Sequence, residues 1–214
     1  DLGEDFQIMT IGPAAENGIL FGCIITDRDH AAGRTGLGAV WGAKKLKAIH
    51  VAGTGKVGIA HPGKLKALRS ELKAIYAESI YISSIQSAGT PAHLDVGIIA
   101  GDIPIKNWQM SDWEDFDELG PASIEEKIHA GDRTCYACTV ACKKNAEVKE
   151  GPFKIKKGPG PEYETIAAFG TMCLNADIES VAKANEICNR YGMDTISCGA
   201  TIAFAIDCFE NGLL

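Results

Sequence analysis

Hydrophobic and polar positions follow two different periods along the chain, and the first quarter has the pattern of strands. The apolar runs FQIMTI (6–11) and ILFGCII (19–25) are short and bounded by Gly, Pro and Asn, which is typical of buried strands. A glycine-dense loop follows at 30–45, and the run LKAIHVAG (46–53) predicts a further strand. We therefore predict that residues 1–58 form a β-rich segment.

The rest of the chain has mainly helical spacing. Leu65, Leu68, Leu72 and Ile75 recur on one face of a helix that starts at Pro62, where the missing N–H of proline costs little. Three further helices are predicted near the end of the chain, at 163–173, 177–191 and 195–210. The last two are followed by Gly192 and by Asn211-Gly212, which are common residues at helix ends.

The middle of the chain has weaker patterns. Residues 83–122 are rich in Gly, Pro and aromatic residues and predict a packed, looping segment. A Ser-x-x-Glu capping box predicts a short helix at Ser123–Ala130, and 149–164 reads as a turn-rich connection. The predicted fold class is α+β: the end of a β-rich domain (1–58), then a mainly α-helical domain (59–214).

Composition and charge limit the classes of molecule that the protein is expected to bind. The 214 residues are 46% hydrophobic and 23% charged, which is typical of a soluble globular protein. The net charge of −7 argues against nucleic acid as a partner, and the most basic stretch, 143–157, also holds acidic residues and is predicted to be a solvated face. No apolar run approaches the ~18 residues of a membrane span, and no signal peptide pattern opens the chain. We expect a cytoplasmic protein without membrane contact, and a piece of a longer one, because the chain starts without Met inside what reads as a domain.

Eight cysteines are present, and three of them lie close together in DRTCYACTVACKK. We predict that the other five (Cys23, Cys173, Cys188, Cys198 and Cys208) are small buried apolar residues. The spacing of Cys135, Cys138 and Cys142 is Cys-x2-Cys-x3-Cys. Three roles are compatible with it: inert buried thiols, zinc ligands or ligands of an iron–sulfur cluster. Zinc usually needs a second cysteine or histidine pair, whereas a [4Fe–4S] cluster commonly takes three thiolates from one loop and a fourth from elsewhere. The cluster fits best, and the adjacent Lys143-Lys144 would favour an anionic group.

The glycine-dense stretch GRTGLGAVWG has two interpretations. It could let backbone N–H groups approach an anion, with Arg34 as a further phosphate donor, or it could be a plain structural loop. It matches neither of the common nucleotide-binding glycine motifs.

Taken together, four motifs resemble the aldehyde:ferredoxin oxidoreductase family of tungsten or molybdenum enzymes. They are HAAGRTGLGAVWGAKKLKAI (30–49), the cysteine triplet, GPEYET (160–165) and NRYGMDTIS (189–197), in the same order as in the family. The resemblance covers essentially the whole chain, which matches the central portion of a family member. It implies a tungsten or molybdenum atom held by two pterins, with a [4Fe–4S] cluster close by.

The resemblance implies roles for the loop residues. Ala31, Gly33 and Arg34 match the part that binds a pterin phosphate, the backbone of Ala31 reaches a Mg²⁺ between two phosphates, and His30 stands where the family can have a basic residue. Cys135, Cys138 and Cys142 match three of the four cluster ligands. The family's fourth cysteine lies beyond residue 214, so we expect the rest of the enzyme or another subunit to supply it.

The resemblance also implies a pterin-binding motif at 189–194. Asn189 and Met193 depart from the Asp and Leu of the family's Asp-x-x-Gly-Leu-Asp, while Asp194 is retained and could also be the N-cap of the next helix. At the position of GPEYET the family has a glutamate near the metal that handles protons, and spacing to the motif at Asn189 favours Glu164 over Glu162 for this role.

The implied activity is oxidation of a small aldehyde to a carboxylic acid, with electrons leaving through the cluster to ferredoxin. We expect the isolated 214 residues to be inactive, since several family cofactor ligands are not on them. The main alternative is an iron–sulfur electron-transfer module without pterin or tungsten, and the next is a zinc-stabilised interaction domain.

Overall fold

The computed structural model describes residues 6–27 and 30–214, which contain two antiparallel sheets and nine α-helices. The strands are β1 (Gln7–Ile11), β2 (Ile24–Thr26), β3 (His30–Ala32), β4 (Ala48–Val51), β5 (His129–Arg133), β6 (Lys143–Val148) and β7 (Ile155–Pro159). The helices are α1 (Pro13–Glu16), α2 (Leu37–Ala43), α3 (Pro62–Glu78), α4 (Ile80–Ala88), α5 (His93–Ala100), α6 (Pro121–Lys127), α7 (Tyr163–Phe169), α8 (Ile178–Tyr191) and α9 (Thr195–Glu210). The predicted α+β class is confirmed.

The first sheet has the strand order β3-β2-β1-β4. Ile11 on β1 pairs with Ile24 on β2, and both are buried with Ala15 of α1 in a small core against which Trp41 packs. The predicted strands at 6–11 and 46–53 are confirmed as β1 and β4.

The predicted strand at 19–25 is wrong over most of its length, because only Ile24 and Ile25 belong to β2. Gly18 turns the chain with a φ of 75°, and Gly22 forms an isolated bridge with Met193 instead of joining the sheet. The N–H of Cys23 donates to the carbonyl of Gly192 at 2.8 Å. The middle of this apolar run therefore forms backbone hydrogen bonds with the α8–α9 connection and does not pair with a neighbouring strand.

The predicted loop at 30–45 contains regular structure, namely β3, a 3-10 turn at Arg34–Gly36 and α2. Its glycines allow backbones to approach closely. A Cβ on Gly38 would lie 2.6 Å from the carbonyl oxygen of Cys23, and one on Gly42 would lie 2.1 Å from that of Ala15. Close packing of α2 explains these two glycines without a ligand, so the structural interpretation holds for this part of the stretch.

The second sheet, with the order β5-β6-β7, was not predicted. Its strand β7 interrupts the turn-rich connection expected at 149–164, whose remaining residues are irregular as predicted up to the start of α7. Ala146 and Val148 of β6 and Ile155 of β7 are buried in the main core, which they share with α7 and α8. The prediction that 143–157 is a solvated face is therefore wrong for 143–148 and Ile155, whereas most of the remaining residues from 149 to 157 are exposed as predicted. Lysines dominate the sequence here, but alternate residues of the strands face inward.

The predicted helix at Pro62 is confirmed, and so are those that form α8 and α9. Asp177 caps α8 by accepting from the N–H groups of Glu179 and Ser180, and Gly192 ends the helix in the left-handed conformation, with a φ of 69°. The helix predicted over 163–173 is interrupted at Gly170, after which a 3-10 turn covers Thr171–Cys173.

Of two predictions for the middle of the chain, one is partly right and one is wrong. Within 83–122, residues 101–115 form the packed, looping segment that was expected, with Ile103 and Ile105 buried, but the flanking residues contain most of α4, all of α5 and two 3-10 turns. The capping box does not form, because α6 begins at Pro121, two residues before Ser123, whose hydroxyl is buried without a hydrogen-bond partner among the described residues. Proline at the first helical position fixes the start of α6.

No helix in the described ranges is long and apolar enough to cross a membrane. Of the five isolated cysteines, Cys23 and Cys188 are buried as predicted, whereas Cys173, Cys198 and Cys208 are partly exposed. The division at residue 58 stays a prediction.

Candidate functional site

The cysteine triplet occupies the tip of the β5–β6 hairpin. Asp132 pairs with Lys144 and Arg133 with Lys143 across the two strands, so residues 134–142 form the loop that joins them. We call residues 134–142 the cysteine loop. A hairpin base fixes the ends of a loop, and the three thiols are therefore presented from one short, anchored segment.

The cysteine loop is tightly wound. Ala137 and Ala141, with φ values of 54° and 55°, turn the chain just before Cys138 and Cys142, and the N–H of Cys138 donates to the carbonyl of Cys135 at 3.1 Å. The hydroxyl of Thr134 donates to the carbonyl of Cys138 at 2.9 Å. The left-handed conformation is uncommon for alanine, and here it occurs at the residue directly before two of the three cysteines.

The thiols differ in their electrostatic surroundings. The N–H of Val140 lies 3.4 Å from the sulfur of Cys138, and the backbone N–H groups of Val140 and Ala141 lower the pKa of this exposed thiol. Burial raises the pKa of Cys142, with smaller contributions from Glu162 and the other two thiols. Within the described ranges, no three His, Cys, Asp or Glu side chains converge closely enough to hold a single metal ion. The loop therefore supplies thiols of the right kind for a cluster, although they do not form a metal-ion site on their own.

A buried lysine anchors the base of the cysteine loop. The ammonium of Lys144, whose side chain is only 9% exposed, lies 2.7 Å from Oδ1 of Asp132 and donates to the carbonyl of Gln86 at 2.6 Å. The side-chain amide of Gln86 donates to the carbonyl of Thr139 at 3.3 Å. The C-terminal end of α4 is thus bonded to both the base and the tip of the loop.

Strand β3 reaches the same loop. Nε2 of His30 lies 3.5 Å from the sulfur of Cys135. Arg34 is exposed on the 3-10 turn that follows, where Thr35 has a φ of 78°. A positive φ is rare for a β-branched residue and is often retained at a binding site.

A cavity of about 230 Å³ lies beside this arrangement and brings together residues from distant parts of the sequence. Five predicted site residues line it, together with Glu162, which was the alternative to Glu164. The five are Ala31, Glu164, Asn189, Met193 and Asp194. The lining described for this cavity does not include His30, Gly33, Arg34 or the three cysteines. The structure therefore places the predicted residues in a cavity and an adjacent loop, rather than in one pocket.

Asp194 is 6% exposed and has two environments, one for each oxygen. Oδ2 accepts from the N–H of Ser197 at 2.8 Å and caps α9. Oδ1 faces Gly33, where an added Cβ would lie only 3.1 Å away. The capping role foreseen in the sequence is real, and the second oxygen lies where a side chain on residue 33 would crowd it.

The two glutamates of GPEYET have different surroundings. The carboxylate of Glu162 accepts a short hydrogen bond from the hydroxyl of Thr90, which also accepts from the N–H of Tyr163 at 3.0 Å. Glu164 lies in the first turn of α7 and lines the cavity. Because Glu162 is held by Thr90, Glu164 is the better candidate for exchanging a proton with a bound group.

Sequence reasoning missed one cavity residue that has a recognisable signal. Asn185 is buried on α8, donates to the carbonyl of Pro159 at 3.0 Å and lines the cavity one turn before Asn189. Residues four apart share a helix face, so a second amide at this spacing could have been selected with Asn189. Lys143 and Lys144 also line the cavity, although the sequence suggested them only as neighbours of the cluster.

Comparison with known proteins matches this arrangement to one family. The model of the aldehyde ferredoxin oxidoreductase N-terminal domain matches residues 1–53, and that of domains 2 and 3 matches 66–214. The tungsten-containing aldehyde ferredoxin oxidoreductases of Thermococcus kodakarensis and Pyrococcus furiosus are 35% and 34% identical, over 97% and 98% of this chain and 34% of each relative. The WOR-like subunit of an aliphatic sulfonate oxidoreductase from P. furiosus is 30% identical over 95% of this chain and 32% of its own length.

A solved structure shows the same fold. The active site complex BamBC of benzoyl coenzyme A reductase, in complex with 1,5-dienoyl-CoA, superposes with a TM-score of 0.67 at 22% identity, over 98% of this chain and 33% of that chain. The chain thus spans about a third of the length of the proteins that it matches. The resemblance recognised in its motifs is confirmed, and the chain belongs to the aldehyde ferredoxin oxidoreductase family of oxidoreductases.

Proposed function

We propose that this chain is the central part of a tungsten–pterin oxidoreductase. The proposed reaction converts a small aldehyde and one water to the carboxylic acid, two protons and two electrons, and the electrons pass one at a time through a [4Fe–4S] cluster in the cysteine loop to ferredoxin. The relatives whose names include tungsten, aldehyde and ferredoxin support this proposal, and so does the grouping of residues around the cavity.

The cavity carries the proposal for the pterin. Asn189, Met193 and Asp194 follow one another around the end of α8, and Ala31 comes from the other side, on β3. The amide of Asn189 and Oδ1 of Asp194 are acceptors suited to the N–H groups of a pterin ring. Ligand cavities are commonly about 300–1,000 Å³, so a cavity of about 230 Å³ accommodates part of one pterin. We propose that the backbone at Ala31 and Gly33, with Arg34, holds a phosphate and its Mg²⁺.

The residues of the chain have separate proposed tasks. Cys135, Cys138 and Cys142 would hold three corners of the cluster, and the base of the cysteine loop keeps them in register. When bound, the tungsten–pterin group supplies the two-electron oxidation. Glu164, in the first turn of α7 and on the cavity wall, accepts one of the two protons that the oxidation releases.

Metal and sulfide analysis of the chain purified without oxygen tests this proposal. We expect iron and acid-labile sulfide near four per chain, provided that the fourth ligand is supplied, together with tungsten or molybdenum. Serine in place of any one of Cys135, Cys138 and Cys142 should lower iron and sulfide together. Cys208→Ser is the matched control, because this thiol lies on α9, outside the loop, and its loss should leave iron unchanged.

The possible outcomes separate the candidate functions. Iron and sulfide without tungsten or molybdenum would favour an electron-transfer module. Zinc in a colourless protein would favour a zinc-stabilised domain and contradict the cluster. Rapid aldehyde-dependent dye reduction by the 214 residues alone would contradict the expectation that catalysis needs further family segments.

A further inference from the structure

We propose that a groove between α3 and the cysteine loop is the docking site of an acidic electron-carrier protein of the ferredoxin class. The groove has a volume of about 420 Å³ and is lined by α3, the segment before it and Thr139 of the cysteine loop. This inference rests on the proposed cluster, because a docking site at this loop serves electron transfer only if the loop holds a redox group.

The groove is basic along one side. Lys66, Arg69 and Lys73 line it at intervals of three and four residues, so they form a single row on α3. Among the described residues, none of the three makes an ion pair. The acidic residues of α3, Glu71 and Glu78, are not part of the lining, which is expected from a helical position nearly opposite to the row.

This row contrasts with the chain as a whole, whose net charge is −7. An isolated basic row on an acidic protein attracts an acidic partner locally and fixes its orientation, which is how complementary charges give specificity and fast association. A nucleic acid would be repelled by the remaining surface, so a compact acidic protein is the better match.

Apolar residues beside the row provide the remaining contact surface. Ile59 and Leu65 line the groove, and Leu68, Leu72 and Ile75 continue along α3, where no residue is buried against the described parts of the chain. An apolar patch next to a row of charges is the usual composition of a protein interface.

The position relative to the thiols favours an electron carrier over other acidic proteins. Thr139 lies between Cys138 and Cys142, so a partner in the groove contacts the loop that carries the proposed ligands. Cys138 is exposed, and Tyr136, two residues earlier, is fully exposed at the tip. Gln86 bonds the end of α4 to Thr139, so the loop meets the partner as a fixed surface.

The test compares binding of a purified acidic two-cluster [4Fe–4S] ferredoxin to three forms of the chain, measured by calorimetry without oxygen. The first is the parent, the second carries Lys66→Glu, Arg69→Glu and Lys73→Glu, and the third carries Lys44→Glu, Lys56→Glu and Lys149→Glu. Both triple variants change the net charge equally, but the third alters exposed lysines outside the groove. Circular dichroism and iron content are measured on the same samples.

We expect the groove variant to bind about tenfold more weakly or worse, and the control variant to differ from the parent by about twofold at most. Parent binding should weaken as NaCl rises from about 50 mM to about 500 mM, and that dependence should be reduced in the groove variant. Equal affinities of the two variants, no binding by a folded, iron-containing parent, or a parent dimer that only the groove variant disrupts would each overturn the proposal. Salt-dependent, groove-specific binding by a chain without iron would support the docking surface and count against the proposed cluster instead.

Discussion

Nε2 of His30 lies 3.5 Å from the sulfur of Cys135, a contact that joins residues 105 positions apart in the sequence. The next residue, Ala31, lines the cavity. Consecutive residues of β3 thus contact the two proposed cofactor regions, one through the histidine ring and the other at the cavity wall. Any change at β3 is expected to affect both.

We predict that His30→Ala lowers the reduction potential of the proposed cluster and leaves its iron content unchanged. Hydrogen bonds to cluster sulfur atoms raise the potential, and the ring of His30 is placed to donate one to Cys135. The potential is measured by a redox titration followed by electron paramagnetic resonance. His50→Ala on β4 is the control, since His50 packs against Phe6 instead. Loss of iron in His30→Ala would show that the histidine is needed to form the cluster.

Replacing Lys144 should destabilise the hairpin that carries the cysteines. Lys144→Met keeps most of the aliphatic stem but removes the hydrogen bonds to Asp132 and to the carbonyl of Gln86. We expect a loss of about 1–2 kcal/mol in the free energy of unfolding, because the ammonium is buried while Asp132 is largely exposed. Urea unfolding measures this loss, with Lys149→Met, at an exposed position, as the control. A variant as stable as the parent would mean that the lysine does not hold the hairpin.

The helices near the end of the chain could be predicted because their signals are local. Asp177 and Gly192 mark both ends of α8, and the structure uses each of them in the expected way. The second sheet could not be predicted from such signals. On β6 only Ala146 and Val148 are buried, and four lysines on β6 and β7 dominate the pattern, so the strands form because of pairing between segments.

The candidate site was predicted only in part, because some of its residues belong to local motifs and others meet only through contacts between distant segments. Resemblance to family motifs selected Met193 and Asp194, and spacing to that motif selected Glu164; the structure brings all three to one cavity. The contact between His30 and Cys135 depends on how β3 approaches the hairpin, which no local pattern contains. Glycines were the least informative signal, because Gly38 and Gly42 are explained by helix packing, whereas Gly33 faces Asp194.

Stability should depend on pH through Glu186. Its carboxylate accepts from Arg190 at 2.8 Å and from Lys183 at 3.2 Å, and these contacts lower its pKa from the usual 4.5. A lowered folded-state pKa gives stability that is fully present above the unfolded-state value and is lost as pH falls through the folded-state value. Glu186→Gln should therefore cost about 0.5–1 kcal/mol at neutral pH and progressively less below about pH 4.

Urea unfolding of the parent and the Glu186→Gln variant across this range checks the prediction. Glu150→Gln, in an exposed turn, should show no such dependence. A difference between parent and Glu186→Gln that stays constant from about pH 7 to about pH 3.5 would rule out the ion pairs as its source.

Two substitutions of Asp194 can separate its structural role from its proposed contact with the pterin. Asn is as good an N-cap as Asp, so Asp194→Asn should unfold within about 0.5 kcal/mol of the parent, whereas Asp194→Ala should lose about 1–2 kcal/mol. The charge of the carboxylate is lost in both, so both should retain less pterin per chain, measured by the fluorescence of the oxidised, released pterin. If Asp194→Asn retained as much pterin as the parent while Asp194→Ala lost it, the charge of the carboxylate would not be needed for pterin binding, and the cap of α9 together with a neutral acceptor oxygen would be sufficient.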